Sequence, residues 1–110
     1  MDANKVELSG NMARDAETLQ VGQSLKAKLR LSSKRQFTKK DGSPGEEVTF
    51  LTVTAWRELA ESVKDLKRGD RVLIRGRLRS FSVKEKKEDG TEKNRSLLEV
   101  EAQSVSRVNG

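Results

Sequence analysis

Phe50-Leu51-Thr52-Val53-Thr54-Ala55-Trp56 alternates as a strand does, and the rest of the chain falls into place around it. Side chains of a strand point to alternate faces. Leu51, Val53 and Ala55 therefore share one face, a small aliphatic core side. Phe50, Thr52, Thr54 and Trp56 share the other, a polar floor with a ring at each end, one of them the only tryptophan of the protein. Burying both faces would leave two threonine hydroxyls in need of partners, so the second face is expected to meet solvent or a ligand. Two rings along a wet strand suit a ligand with flat faces of its own. The pattern alone is equally compatible with rings that close the ends of a core.

Composition narrows the choice. At 110 residues the chain is expected to form one domain over 1–110 with short disordered termini, too small for a large enzyme scaffold. A hydrophobic fraction of 33% lies under a charged fraction of 36%, and 23 Lys+Arg against 17 Asp+Glu leave a net charge of +6. That balance favours a polyanionic partner, although many small soluble proteins are basic without one. With neither cysteine nor histidine, disulfides and thiolate chemistry are excluded, and acid–base and nucleophilic catalysis lose their commonest groups. The start Met1-Asp2-Ala3-Asn4-Lys5 has no apolar signal region and no run reaches membrane-spanning length. A cytoplasmic protein with no membrane partner is expected.

Along the chain, Lys5 to Ala13 predicts a first strand with Val6, Leu8 and Met12 inward, and Gly10 marking a bulge or tight bend. Arg14 to Gly22 predicts a connection with weak strand character around Leu19 and Val21. A second strand sets Leu25, Ala27, Leu29 and Leu31 on one face and Lys26, Lys28 and Arg30 on the other. The cationic face is either a solvated edge kept apart by lysines or a track for phosphates. Ser32 to Glu46 predicts a long polar loop, a hairpin arm turning at Asp41-Gly42-Ser43-Pro44-Gly45. It carries Lys34, Arg35, Lys39 and Lys40 around Phe37, so that Lys26 to Lys40 holds seven basic residues and no acid.

Beyond the central strand, Arg57 to Leu66 predicts the one helix, with Leu59, Ala60, Val63 and Leu66 as its stripe and Gly69 as its stop beside Lys67 and Arg68. Asp70 to Val83 predicts a fourth strand, Val72, Ile74, Gly76, Leu78 and Ser80 on one face, Arg71, Leu73, Arg75, Arg77, Arg79, Phe81 and Val83 on the other. A second arm of nearly cancelling charge turns at Asp89-Gly90. The fifth strand, about Ser96 to Val105, sets Leu98, Val100 and Ala102 inward, and Ser106 to Gly110 is too short to fold alone. Three strands, a helix and two strands is the order of the all-β OB-fold: a five-stranded Greek-key barrel with one helix between strands three and four, here with long β-hairpin arms. That fold binds oligonucleotides and oligosaccharides on strands two and three. The cations of strand two and the rings of strand three fall on that face.

Four stretches in order resemble the bacterial single-stranded DNA-binding protein family. Asn4-Lys5-Val6-Glu7-Leu8-Ser9-Gly10-Asn11 is similar to its opening strand and Asp15-Ala16-Glu17 to the Asp-Pro-Glu that often follows. Phe50 to Trp56 running into Arg57-Glu58-Leu59-Ala60-Glu61 resembles its third strand and helix, and Lys67-Arg68-Gly69-Asp70-Arg71-Val72-Leu73-Ile74-Arg75-Gly76-Arg77-Leu78 its fourth strand. The resemblance covers roughly residues 4 to 105. It implies a subunit that coats single-stranded DNA in replication, recombination and repair at the nucleoid, usually as a homotetramer and with replication and repair proteins as partners. Phe37, Phe50 and Trp56 match places where the family puts base-stacking aromatics. Val83 matches a fourth, where many members have tryptophan, so stacking there is weaker unless Phe81 takes over. The family usually carries a long flexible tail ending in an acidic peptide that recruits enzymes. The chain ends at Gly110, leaving open a truncated chain or a short member without that docking function.

The expected mechanism makes and breaks no covalent bond and uses no cofactor and no metal. Rings stack on unpaired bases without sequence preference, and Lys and Arg neutralise phosphates with counterion release. The stacking candidates are Trp56, Phe50, Phe37 and Phe81; the phosphate candidates are Lys26, Lys28, Arg30, Lys34, Arg35 and Lys39. Arg75, Arg77 and Arg79 are added as phosphate candidates, with subunit packing as the rival use of their strand face. Asp15 with Glu17 is the nearest spacing to a carboxylate metal site and suggests no third ligand. Two other classes remain: a dimeric OB-fold adaptor resembling the primosomal replication proteins, and an RNA-binding OB module.

Overall fold

The computed structural model describes residues 1–108. Its elements are β1 (Val6–Met12), β2 (Glu17–Val21), β3 (Ser24–Thr38), β4 (Pro44–Trp56), α1 (Glu58–Val63), β5 (Arg71–Lys86) and β6 (Glu92–Arg107). Five strands form a ring in the order β1-β5-β6-β4-β3, closed where Asn11 and Met12 of β1 pair with Ser32 and Leu31 of β3. Every pairing is antiparallel except β4 with β6, at Val53↔Val100 and Thr54↔Glu101. This is the expected Greek-key barrel.

The alternation in the two central strands translates directly into its wall. Ala27, Leu29 and Leu31 of β3 and Val53 and Ala55 of β4 are all fully buried. Met12, Val72, Ile74, Val100 and Ala102 complete the interior, and burying side chains of this size stabilises by roughly 1.5–3 kcal/mol each. Gly10 and Gly76 mark places where two backbones touch. A Cβ at Gly10 would lie 2.2 Å from the Ser32 carbonyl oxygen, and one at Gly76 2.1 Å from that of Glu101. Only at Gly76 does a register shift accompany the close approach; Gly10 keeps its register with Val72, so it is a contact point and no bulge.

The structure departs from expectation in five places. The connection after β1 contains a strand, β2, hydrogen-bonded along the outside of β3 from Glu17↔Lys28 to Val21↔Ser24. All five of its residues are exposed. The segment Ser32 to Glu46 forms the expected hairpin arm as paired strands and not as a loop, β3 and β4 staying in register out to Thr38↔Pro44; β5 and β6 form the expected second arm out to Lys86↔Glu92. α1 has six residues. Arg57 is not helical, and Leu66 bonds back to Val63 in a turn, yet Ala60, Val63 and Leu66 are buried against the barrel as their spacing required. Gly69 lies in the following turn, where its N–H meets the Met12 carbonyl 2.9 Å away, so it closes that turn and not the helix. Leu78 and Leu98, expected inward, are 43% and 64% exposed, because both lie where the strands run on past the barrel wall into the arm. Finally, β6 continues to Arg107 and Val108 N–H bonds the Arg71 carbonyl, so the supposed tail begins as sheet at Ser106 and Arg107; Asn109 and Gly110 lie outside the described residues.

The two arm tips are built alike. In Lys39-Lys40-Asp41-Gly42-Ser43 the Asp41 carboxylate accepts from the Ser43 hydroxyl at 2.6 Å and the Ser43 N–H at 3.0 Å. In Lys87-Glu88-Asp89-Gly90-Thr91 the Asp89 carboxylate accepts from Thr91 at the same two distances. These bonds, the hydroxyl's first, hold both carboxyls below the usual aspartate range.

Candidate nucleic-acid interface

The β3–β4 register places Lys26 beside Trp56, Lys28 beside Thr54, Arg30 beside Thr52 and Ser32 beside Phe50. Paired residues share a face, so the cations and two of the rings lie on one outer surface. Its floor is made by a single polar contact, Arg30 Nη1 donating to the Thr52 hydroxyl at 3.1 Å. Lys26, Lys28, Arg30 and Thr52 line a groove whose far wall is Arg79, Phe81, Leu97, Leu98 and Glu99 from β5 and β6. No ion pair engages Lys26, Lys28 or Arg30 among the described residues. The alternation predicts a floor open to solvent along its whole length, and the structure departs from this at one residue. Thr54, between Lys28 and Glu101 in the sheet, is 1% exposed and its hydroxyl has no partner among the described residues.

The four rings are held differently. Trp56 is half-buried at the barrel end of the groove, with the Lys26 ammonium 5.4 Å from its ring centre. Phe81 is half-buried on the opposite wall with the Arg79 guanidinium 5.9 Å away. Phe50 is 56% exposed and faces an adjoining open cleft lined by Val6, Leu8 and Leu78, which shares Arg30, Thr52, Leu98 and Glu99 with the groove. Phe37 pairs with Gly45, which puts it and Arg35 on the reverse face of the ribbon from Phe50 and Trp56. Its ring lies across Gly45, where an added Cβ would come within 2.7 Å of the ring edge, and the Arg35 guanidinium sits 5.9 Å from its centre.

Three arginines of β5 are not free cations. Arg75 binds Glu7 of β1 at 2.7 Å, Arg77 binds Glu101 at 3.1 Å and Arg79 binds Glu99 at 2.9 Å. Glu99 is the most buried of these carboxylates, its side chain only 7% exposed; a buried carboxylate depends on its partner. On the first arm, Lys34 and Arg35 reach Glu46 at 3.9 Å and Glu47 at 3.4 Å on the neighbouring strand. Both pairs are open to water and weak. The basic run of β3 is therefore opposed by acids only at its outer end, and Lys39 lies beyond them at the tip with no ion pair among the described residues. Asp15 accepts the Arg68 N–H at 2.8 Å and lies 3.8 Å from Lys67, and Glu17 lies 3.8 Å from Arg14, so both carboxylates have structural uses.

The family model described as "Single-strand binding protein family" matches residues 3–108. The chain belongs to this family. The single-stranded DNA-binding protein of Wolinella succinogenes is 40% identical over 108 residues, covering 96% of this chain and 64% of that protein. That of Helicobacter hepaticus is 37% identical over 105 residues, covering 93% and 60%. The chain thus spans less than two thirds of the length of these relatives. Among solved structures, the Plasmodium falciparum SSB in complex with ssDNA superposes with a TM-score of 0.85 at 13% identity, over 99% of this chain and 97% of that one. A deletion mutant of the Thermus aquaticus single-stranded DNA binding protein gives 0.84 at 23% identity, over 98% and 51%. At these identities the likeness is one of fold.

In this single-strand binding family member, Val83 is half-buried and pairs with Arg95, two residues along the same strand face from Phe81. Two residues lining the groove, Glu99 and Leu97 of β6, were not singled out from sequence. Outside the groove, Leu19 of β2 pairs with Lys26 on the side away from Trp56 and extends the face there, 50% exposed. A signal for Leu19 exists: Leu19 and Val21 alternate with Thr18 and Gln20 up to Gly22. No helix of the described residues is long and apolar enough to cross a membrane.

Proposed function

We propose that the chain binds and coats single-stranded DNA without sequence specificity, in replication, recombination and repair, through binding alone and without catalysis. The observation that carries this is the groove in which Lys26, Lys28 and Arg30, free of ion pairs among the described residues, face Phe81 and run up to Trp56. Bases stack on Trp56 and Phe81 while the cations of β3 take the phosphates. Base–aromatic stacking in single-strand-coating OB-folds of this class is worth roughly 1–3 kcal/mol per base. Phe50 and Phe37 extend the stacking positions along the arm, one on each face, with Lys34, Arg35 and Lys39 beside them. Arg75, Arg77 and Arg79 contribute to phosphate binding only by giving up Glu7, Glu101 and Glu99.

Assembly of copies, as a tetramer or a dimer, is supported by the apolar part of the cleft away from the nucleic-acid face, Val6, Leu8 and Leu78. Light scattering reads the copy number. The chain acts in the cytoplasm on nucleoid DNA, alongside replication and repair proteins. The test is a titration with oligo-dT, oligo-U of equal length and duplex DNA, followed by Trp56 fluorescence. Coating predicts strong quenching by oligo-dT, reversed by salt, and little by duplex. A preference for oligo-U would make the chain an RNA module, and no quenching by any of the three would leave the adaptor function in its place.

A further inference from the structure

Arg57 is the one non-glycine residue with a positive φ among those described, at φ 57° and ψ −122°. A Cβ crowds the flanking backbone in that region, where glycine alone is relaxed. A residue held there against its preference persists when something else is gained. The turn does not supply the gain. It is held by main-chain groups, Arg57 N–H to the Leu25 carbonyl at 2.8 Å and Glu61 N–H to the Arg57 carbonyl at 3.0 Å, and a glycine would make both bonds. Packing does not supply it either: the Arg57 side chain is exposed, with no ion pair or side-chain hydrogen bond among the described residues.

What distinguishes Arg57 is its place. It follows Trp56 directly, and its N–H is tied to the residue before Lys26, whose ammonium lies 5.4 Å from the Trp56 ring. The row of free cations Arg30, Lys28 and Lys26 on β3 runs toward this corner. We infer that Arg57 is a further phosphate-binding residue of the nucleic-acid face, taking the phosphate next to the base on Trp56, and that the strained backbone is retained for its guanidinium. This rests on the coating function proposed above. From sequence alone Arg57 passes for the first residue of a helix, which hides both its conformation and its position.

The inference predicts effects of opposite sign on stability and binding. Arg57→Gly relieves the backbone and raises Tm by about 4–8 °C, yet weakens oligo-dT binding. One lost contact at 0.1 M salt costs about fivefold, and it reduces the slope of log K against log salt by about 0.7. Arg57→Ala keeps the strain and shows the same binding loss with Tm nearly unchanged, and Arg57→Lys keeps the slope. Wild-type affinity and slope in both Arg57→Gly and Arg57→Ala would overturn the inference, as would a fall in Tm for Arg57→Gly. If Trp56→Ala weakens binding while the Arg57 variants do not, this inference alone fails. If the wild type does not bind oligo-dT, the coating function fails and takes the inference with it.

Discussion

Replacing Trp56 with alanine removes the ring at the barrel end of the groove and leaves every charge in place. The indole is half-buried, so the variant loses part of its apolar burial as well as the contact with the Lys26 ammonium at 5.4 Å. At an exposed site that contact is worth about 0.5–1 kcal/mol, and with the partial burial unfolding free energy should fall by about 1–2 kcal/mol. Binding should suffer as well. Losing one stacked base costs about 1–3 kcal/mol, which is about fivefold to about 150-fold in Kd. Because no cation is removed, the salt slope should stay as in the wild type. Trp56 is the only tryptophan, so the variant has no indole signal and the assay is anisotropy of labelled oligo-dT beside a urea melt. A stability loss of about 3–5 kcal/mol, the cost of emptying an aromatic core site, with unchanged affinity would refute the placement of Trp56 on the binding face.

Lys28→Ala and Arg30→Ala should each flatten the salt slope by about 0.7, whereas Arg75→Ala and Arg77→Ala should leave it unchanged, since Glu7 and Glu101 already neutralise those arginines. Arg79→Ala strands the Glu99 carboxylate, so the urea midpoint should drop by the equivalent of about 1–3 kcal/mol, discounted because Arg79 is half exposed. Adding Glu99→Gln should recover part of that loss. The carboxyls of Asp41 and Asp89 sit below their ordinary value of 3.8 in the folded arms, so their contribution is complete above that pH and disappears as pH falls through the lower folded value. The protection factors of the Ser43 and Thr91 amides, measured against intrinsic exchange at each pH, should therefore hold at pH 5 and fall selectively in acid.

Much of the barrel was legible because its wall alternates. Ala27, Leu29 and Leu31 against Lys26, Lys28 and Arg30 leave one possible inner face, and Val53 with Ala55 another. β2 was legible only as weak strand character around Leu19 and Val21, for the converse reason: a strand whose five residues are all exposed has no inner face, and its order comes from β3. Leu78 and Leu98 have the correct parity but lie beyond the end of the core, a boundary that periodicity does not contain. The site was legible in residue type more than in arrangement. A basic run counted along the chain overlooks acids that arrive across a ladder, as Glu46 and Glu47 do for Lys34 and Arg35, and Glu99 for Arg79. Nor does a hydrophobicity pattern show that Phe37, an odd number of residues from Ser32, turns to the face opposite Phe50.

The most direct measurement is the salt dependence of oligo-dT affinity for the wild-type chain, read by quenching of Trp56. Lys26, Lys28 and Arg30, without ion pairs among the described residues and at about 0.7 each, predict a slope of about −2 or steeper, with the quench reversed at high salt. Affinity that is flat in salt, or binding that leaves Trp56 fluorescence unmoved, would contradict a groove that holds the strand by base and phosphate together.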